Sequence, residues 1–396
     1  MTRIYAVLFI FFTSTFTFAQ TWVQKTDIPI GRHHPVTFAI DGKGYSVTGT
    51  LTNSSYSKSF LEYDPVADTW TTLPAFPGPA RSFAIGAAYE GKGYLGFGVD
   101  NNTDFNDLWV FDPSTDQWTQ LASCPCQGRS HPAFVIANDH IYVGLGGSDF
   151  GDLKDWWMYS INSDSWVQLP DLPGPRRHHP FMFEADGNVY AGMGHGGPVI
   201  YDDWYMLDTA TLQWTTMNNF PGEARVAGTQ FGNNGMGYVL SGDGDNHSFM
   251  STGEFWEYDP ATDNWVQLPP HPGISRWAPN SFVIDDVVYF LGGYNRQVGF
   301  FPTDVWAYDF SPSTVGLEDS QVAQISLFPN PTSDFLQVSN IDGNVEIEIY
   351  TTTGQMMGSY TISADQRIDV SNWSSGVYQV RLTTDQSTRF ERIVVR

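Results

Sequence analysis

Residues 129–147 read R-S-H-P-A-F-V-I-A-N-D-H-I-Y-V-G-L-G-G, and residues 156–166 continue W-W-M-Y-S-I-N-S-D-S-W. Four short runs of β-branched and aromatic residues are punctuated by turn chemistry. Asn138-Asp139 marks a first hairpin, Asn162-Ser163-Asp164 a last one, and residues 147–154 a longer connection. This is the pattern of a four-stranded meander, and it recurs. Trp22, Trp70, Trp118, Trp166, Trp214 and Trp265 stand 48, 48, 48, 48 and 51 residues apart, a period that signals a propeller or solenoid before any strand is assigned. Counted from Arg32, Arg81, Arg129, Arg177, Arg225 and Arg276, position +13 is Tyr45, Tyr94, Tyr142, Tyr190, Tyr238 and Tyr289. Position +17 is Gly49, Gly98, Gly146, Gly194, Gly242 and Gly293. The repeat therefore predicts an all-β chain built on a six-bladed β-propeller over residues 21–310.

The double glycine Gly146-Gly147, the later Tyr159 and the closing Trp166 resemble the kelch repeat. The double glycine is complete only there and at Gly292-Gly293, so the resemblance is to a divergent kelch family. The sixth unit runs from Arg276 through V-W-A-Y-D-F and stops without a closing Trp strand, while Trp22 has no unit of its own. The T-W-V-Q-K segment is thus expected to supply the outer strand of the last blade, which leaves only short, protected edges. The repeated tryptophans read as anchors between blades, not as ligand platforms.

With 43 acidic and 19 basic residues the net charge is −24, which repels a phosphate backbone and argues against nucleic acid as a partner. Residues 1–19 carry Arg3, an apolar run and a small-residue pattern ending at Ala19, so they read as a signal peptide for export. No later segment reaches the ~20 apolar residues of a membrane helix, and no oligomer is expected. Cys124 and Cys126 are the only cysteines; a C-P-C pair is no disulfide framework and closes a strained ring if it bonds.

G-R-H-H-P at Gly31, G-R-S-H-P at Gly128 and R-R-H-H-P-F at Arg176 place arginines and histidines where the innermost strands begin, at the mouth of the central channel. Two readings of the arginines follow. One is a brace between blades, because the residue recurs at every anchor. The other is a cationic mouth, Arg32, Arg81, Arg129, Arg177 and Arg276, for a carboxylate or sulfate on a sugar. His34, His131 and His179 align as the channel-facing histidines, since successive strand residues point to opposite sides. Packed sheets stand about 10 Å apart, so three histidines from separate blades are not expected to converge on a metal, and no cofactor is assigned. His195, Trp277, Asn295 and Arg296 occur once each and carry more functional weight than repeated residues. Asp243 and Asp245, in D-G-D-N-H, are the Ca²⁺ candidates, although the distal Glu of a Ca²⁺ loop is absent.

The expected function is a binding protein with a glycan or protein ligand at this mouth. The alternative is an enzyme similar to the six-bladed kelch sialic-acid epimerases (mutarotases), with Glu223 as general acid/base beside Arg225 in G-E-A-R. A copper enzyme similar to galactose oxidase ranks below both, because the C-P-C pair lies in a loop whose counterparts are plain Pro-Gly turns.

After a linker over residues 311–323 the period ends, and alternating runs predict a small β-sandwich over residues 324–396. Pro329-Asn330-Pro331, Gly354-Gln355, Ser375-Gly376-Val377-Tyr378 and the closing Arg392-Ile393-Val394-Val395-Arg396 resemble, in number and order, the type A C-terminal sorting domain of the Bacteroidetes type IX secretion system. The resemblance implies the secretion machinery as a partner, transport across the outer membrane, and a destination at the surface or in the medium.

Overall fold

The computed structural model describes residues 22–311, 326–339, 345–351, 355–362, 367–383 and 388–396. The expected signal peptide and the linker beyond Ser311 lie outside these residues. The chain divides after Ser311 into two compact units.

The first unit is a six-bladed propeller of four-stranded antiparallel sheets. Blade one is Val36–Ile40, Lys43–Val47, Phe60–Asp64 and Thr69–Leu73, ordered from the inside outward. Blades two to five begin with the inner strands Ile85–Tyr89, Ala133–Ala137, Phe181–Ala185 and Thr229–Asn233 and repeat the meander. Blade six contains Trp277–Ile284, Val287–Tyr294 and Val305–Asp309, and its outer strand is Val23–Lys25. The pairing is Val23 with Ala307, Gln24 with Trp306 and Lys25 with Val305, so the N-terminal segment closes the ring as the unmatched Trp22 implied. No helix among the described residues is long and apolar enough to cross a membrane.

The repeated tryptophans join neighbouring blades. The Trp166 indole N–H donates to the Ala122 carbonyl at 2.8 Å, Trp214 to Pro170 at 3.1 Å, Trp22 to Pro269 at 3.1 Å and Trp70 to Thr26 at 3.1 Å. Ala122, Pro170 and Thr26 directly follow the outer strand of the preceding blade, and Pro269 lies within it. Rings also pack between blades, Trp214 on Trp156 at 4.9 Å and Trp265 on Trp204 at 5.4 Å between centroids.

The +17 glycines explain their recurrence. All six have φ between 74° and 103°, a region that strains any residue with a Cβ. Five of their N–H groups donate to the carbonyl of the next blade's anchor arginine: Gly49 to Arg81 at 3.0 Å, Gly98 to Arg129 at 2.9 Å, Gly146 to Arg177 at 2.9 Å, Gly194 to Arg225 at 3.2 Å and Gly242 to Arg276 at 3.1 Å.

The second unit is a two-sheet sandwich. One sheet is Ser326–Phe328, Phe335–Ser339 and Arg367–Asp369; the other is Met356–Ile362, Val345–Thr351, Gly376–Thr383 and Thr388–Val395. Alternate residues of both sheets, including Leu336, Val338, Ile347, Ile349, Val380 and Ile393, meet in one core. Cys124 and Cys126 are joined as a disulfide in the connection between blades two and three.

A histidine-lined mouth as the candidate functional site

The anchor arginines are buried inside the blades. Arg32, Arg81, Arg129, Arg177 and Arg225 are fully enclosed and Arg276 nearly so. Arg81 forms a fork with Asp107 at 2.6 and 2.7 Å, and Arg129 does the same with Asp155 at 3.0 and 2.9 Å. Arg177 pairs with Asp203, Arg225 with Glu254 at 2.5 Å and Arg276 with Asp304 at 2.6 Å. Arg32 has the Thr48 carbonyl at 3.1 Å and Ser59 Oγ at 2.9 Å instead, and burial lowers its pKa to about 10. The carboxylates also accept from an aromatic donor two residues on, as Asp107 does from Trp109 at 2.7 Å and Asp155 from Trp157 at 2.7 Å. Each side chain therefore ties the inner edge of its own blade to the third strand, while the arginine backbone is held by the preceding blade. Those guanidinium groups, considered above for an anion at the mouth, face the blade interior, and all but that of Arg32 are already paired with acids. The carboxylate partners were not singled out in the sequence, although Asp107, Asp155 and Asp203 each follow their arginine by 26 residues.

Position +2 behaves differently. It is occupied by His34, Phe83, His131, His179, Ala227 and Ala278, and all six have φ between 49° and 59°. Their backbones form a ring around the channel: His34 N–H donates to the Ala278 carbonyl at 3.0 Å, His131 to Phe83 at 3.0 Å, His179 to His131 at 3.3 Å and Ala278 to Ala227 at 2.7 Å. This left-handed residue changes two expectations. The alternation of extended strands does not apply here, so both members of each H-H pair reach the mouth: His33 Nδ1 lies 2.7 Å from His34 Nδ1, and the His178 ring centroid lies 3.8 Å from that of His195. The histidines also converge, against the expectation from sheet spacing, because the inner ends of the blades turn toward the axis where the sheets are closest. His34 Nε2 and His179 Nε2 are 3.0 Å apart, although they come from blades one and four. The His131 and His179 centroids are 3.6 Å apart.

Two overlapping groups result, His34 with His131 and His179, and His178 with His179 and His195; within each, one nitrogen per residue lies within 4.8 Å of the others. Burial, reinforced by neighbouring imidazoles, holds the His34, His131 and His179 pKa values well below that of free histidine. Burial likewise lowers His33 and His195 to about 4. The rings are therefore neutral at neutral pH, with nitrogen lone pairs available. His178 Nδ1 contacts Asp152 at 2.6 Å, and the His247 ring stands 4.5 Å from that of His195. The ring borders a cavity of about 60 Å³ lined by the three histidines, Phe83 and the prolines that follow the histidines.

Trp277 joins this group, its ring 4.6 Å from His34 and under the Arg296 guanidinium at 4.8 Å. Arg296 pairs with the enclosed Asp243, whose pKa burial raises to about 6 against the pull of that arginine. Asn295 instead turns its own loop, its Oδ1 accepting from Gln297 N–H at 3.1 Å. Asp245 is exposed. The groups of three or more ligating residues found among the described residues include neither Asp243 nor Asp245, so the Ca²⁺ candidates do not assemble. Glu223 is exposed, and its Oε1 accepts from the Asp245 N–H at 2.9 Å. Arg225 is held by Glu254 and donates through Nε to the Glu223 carbonyl at 3.2 Å, so the two residues considered for acid/base chemistry meet through the Glu223 backbone and not its carboxylate.

Around the mouth stand the loops that join second to third strands, and they expose apolar side chains. Phe150 is 85% exposed, Val199 49%, Phe249 40%, Val298 64% and Phe300 51%. Periodicity could not identify these tips, because they lie in the loops that differ between repeats.

A family model described as the attractin/LZTR1 β-propeller matches residues 44–306, and one described as a secretion system C-terminal sorting domain matches residues 326–396. An F-box/kelch-repeat protein of Arabidopsis thaliana is 32% identical over 111 residues, 24% of this chain and 29% of that protein, so the match spans under a third of the relative. The solved structure of YjhT superposes with a TM-score of 0.60 at 16% identity, covering 72% of this chain and 97% of the other. At that identity the likeness is one of fold.

Proposed function

Because the chain belongs to the attractin/LZTR1 β-propeller family and carries a secretion-system C-terminal sorting domain, we propose that it is an exported binding protein whose macromolecular ligand engages the loop crown around the histidine mouth. Export rests on the sorting domain, which marks proteins delivered through the type IX system to the cell surface or beyond.

The observation that carries the reading is the clustering of exposed apolar tips. Every phenylalanine of the propeller among its exposed large hydrophobic residues, Phe150, Phe249 and Phe300, lies on this one face. Exposed apolar side chains gathered on one surface and bordered by polar residues mark interaction sites. Mixed aliphatic and aromatic tips suit a protein surface, and the neutral histidines with Trp277 offer a polar and aromatic floor for a side chain or sugar that reaches the channel.

The test is a binding screen of the secreted protein against a glycan array and against purified surface proteins of the producing cell, with the double substitution F150S/F300S alongside. The reading expects a ligand whose binding the double variant loses while its melting temperature is unchanged. Binding that survives both substitutions and is instead lost on changing the opposite hairpin at Asn138-Asp139 would overturn it.

A further inference from the structure

The mouth contains a feature that ligand recognition by the loops does not use. His131 has both ring nitrogens buried and without a hydrogen-bond partner. A buried polar group is almost always satisfied, and an orphan calls for a missing water or ion. The nearest polar groups are other imidazoles. His34 and His179 present Nε2 atoms 3.0 Å apart, and the ligating atoms of all three residues lie within 4.8 Å of one another.

We propose that His34, His131 and His179 bind one divalent transition-metal ion of the Zn²⁺ class at the top of the channel. Zn²⁺ takes imidazole nitrogens at about 2.0–2.1 Å in a tetrahedron, which sets neighbouring ligand atoms roughly 3.3 Å apart. The observed spacing, 3.0 Å for the His34–His179 pair and at most 4.8 Å within the group, spans that figure. Three neutral imidazoles suit Zn²⁺, Cu²⁺ and Ni²⁺, whereas Ca²⁺ and Mg²⁺ require oxygen ligands. Three protein ligands leave a fourth position for water or a small ligand group, and the cavity of about 60 Å³ that borders the three rings provides room for a water there. Second contacts are present: His34 Nδ1 lies 2.7 Å from His33 Nδ1, and His179 Nδ1 lies 3.4 Å from His195 Nε2. Contacts of this kind fix a ligand's tautomer and ring orientation. The other three blades carry Phe83, Ala227 and Ala278 at the same position, so the ligands come from only half of the ring.

This inference rests on reading the mouth as the binding face, and it is tested without the macromolecular ligand. The full chain, freed of metal with a chelator, is titrated with ZnCl₂ by calorimetry, and with CoCl₂ to read the visible absorption of a tetrahedral site. The expected result is one ion per chain, unaffected by millimolar CaCl₂. His131→Phe, which places the blade-two residue in blade three, should lose more than the roughly 10–100-fold that loss of an outer contact costs. His179→Ala should do the same, and His140→Ala, on the opposite hairpin, should bind as the parent does. A melting curve accompanies each variant, and an increase in melting temperature on adding Zn²⁺ that His131→Phe lacks keeps the test decisive if one variant is weakened. No uptake at 100-fold excess of metal over protein, or undiminished uptake by His131→Phe, overturns the proposal. A metal-free protein that still binds a macromolecule through Phe150 and Phe300 would leave the face reading intact, and a loaded site without such a ligand would remove the face reading alone.

Discussion

His34 and His179 belong to opposite blades, one and four, yet their Nε2 atoms lie 3.0 Å apart across the channel. Each is the second residue after an anchor arginine, with φ of 50° and 51°. The propeller thus uses adjacent positions for different purposes: the arginine ties the blade to itself and its neighbour, and the residue two places on turns in to close the channel.

Closure should depend on five residues. Removing residues 21–25 deletes the partners of Ala307, Trp306 and Val305 and opens the pocket that Trp22 fills beside Phe255 and Tyr308, at centroid distances of 5.7 and 5.2 Å. Scanning calorimetry should record a larger fall in melting temperature than for five residues cut from a surface hairpin. Deleting one large aromatic side chain from a core costs about 3–5 kcal/mol. Equal melting temperatures would refute closure through a shared sheet.

The arginine anchors should behave as coupled pairs. Arg177→Ala leaves Asp203 without its fork, and breaking a buried pair costs about 3 kcal/mol or more. Asp203→Ala should cost a similar amount. The double variant should cost much less than the sum, because no uncompensated charge remains. Urea unfolding of the four proteins measures this, and additive losses would contradict the pairing. Arg296→Ala removes the partner of the enclosed Asp243, so it should lower the melting temperature as well as alter ligand binding.

Acid should destabilise the propeller through histidines that stay neutral when folded. His271 is enclosed, stacks on Phe290 at 4.3 Å, and is lowered by burial, then by Arg276, to about 3. In the unfolded chain it titrates near 6.5. As pH falls below about 6.5 the unfolded state gains a proton that the folded state does not, so stability is complete above that value and is lost progressively toward pH 3. His271→Gln should reduce the steepness of that loss when free energies of unfolding are compared between pH 7 and 4. An unchanged slope would mean that His271 is charged in the folded protein.

The tail should act as an address. Deleting residues 324–396 should leave folded propeller in the periplasm, since the sixth blade is completed by Val23–Lys25 and not by the tail. Fusing the tail and a signal peptide to an unrelated reporter should bring the reporter to the surface. Export of the deleted chain at the normal level would contradict this.

Much of the fold was legible because the period of Trp, Tyr and Gly is long-range information written locally. Even the strand exchange at Trp22 followed from counting. The mouth was legible only in part. Aligning on Arg32 placed His34, His131 and His179 at one position, but their convergence depends on the left-handed turn there, and a run such as R-H-H-P does not announce that conformation in residues that ordinarily avoid it. The pairing of His178 with Asp152, the orphaned nitrogens of His131 and the exposed Phe150 and Phe300 arise where blades differ, which a repeat pattern averages away. The acid partners were available in the sequence as the 26-residue spacing from Arg81, Arg129 and Arg177.

The central claim is that the anchor position maintains the fold while the position two residues on serves a ligand. Thermal unfolding in metal-free buffer tests it most directly, comparing the parent chain, Arg177→Ala, and a chain with His34→Ala, His131→Phe and His179→Ala together. These replacements are the residues that blades two, five and six already carry at the equivalent position. The account predicts that Arg177→Ala melts well below the parent, whereas the triple variant melts much closer to it, because losing the His33–His34 and His179–His195 contacts is offset by removing the two buried His131 nitrogens that lack partners. A triple variant destabilised as much as Arg177→Ala would show that the histidines are ordinary core, and would contradict the claim.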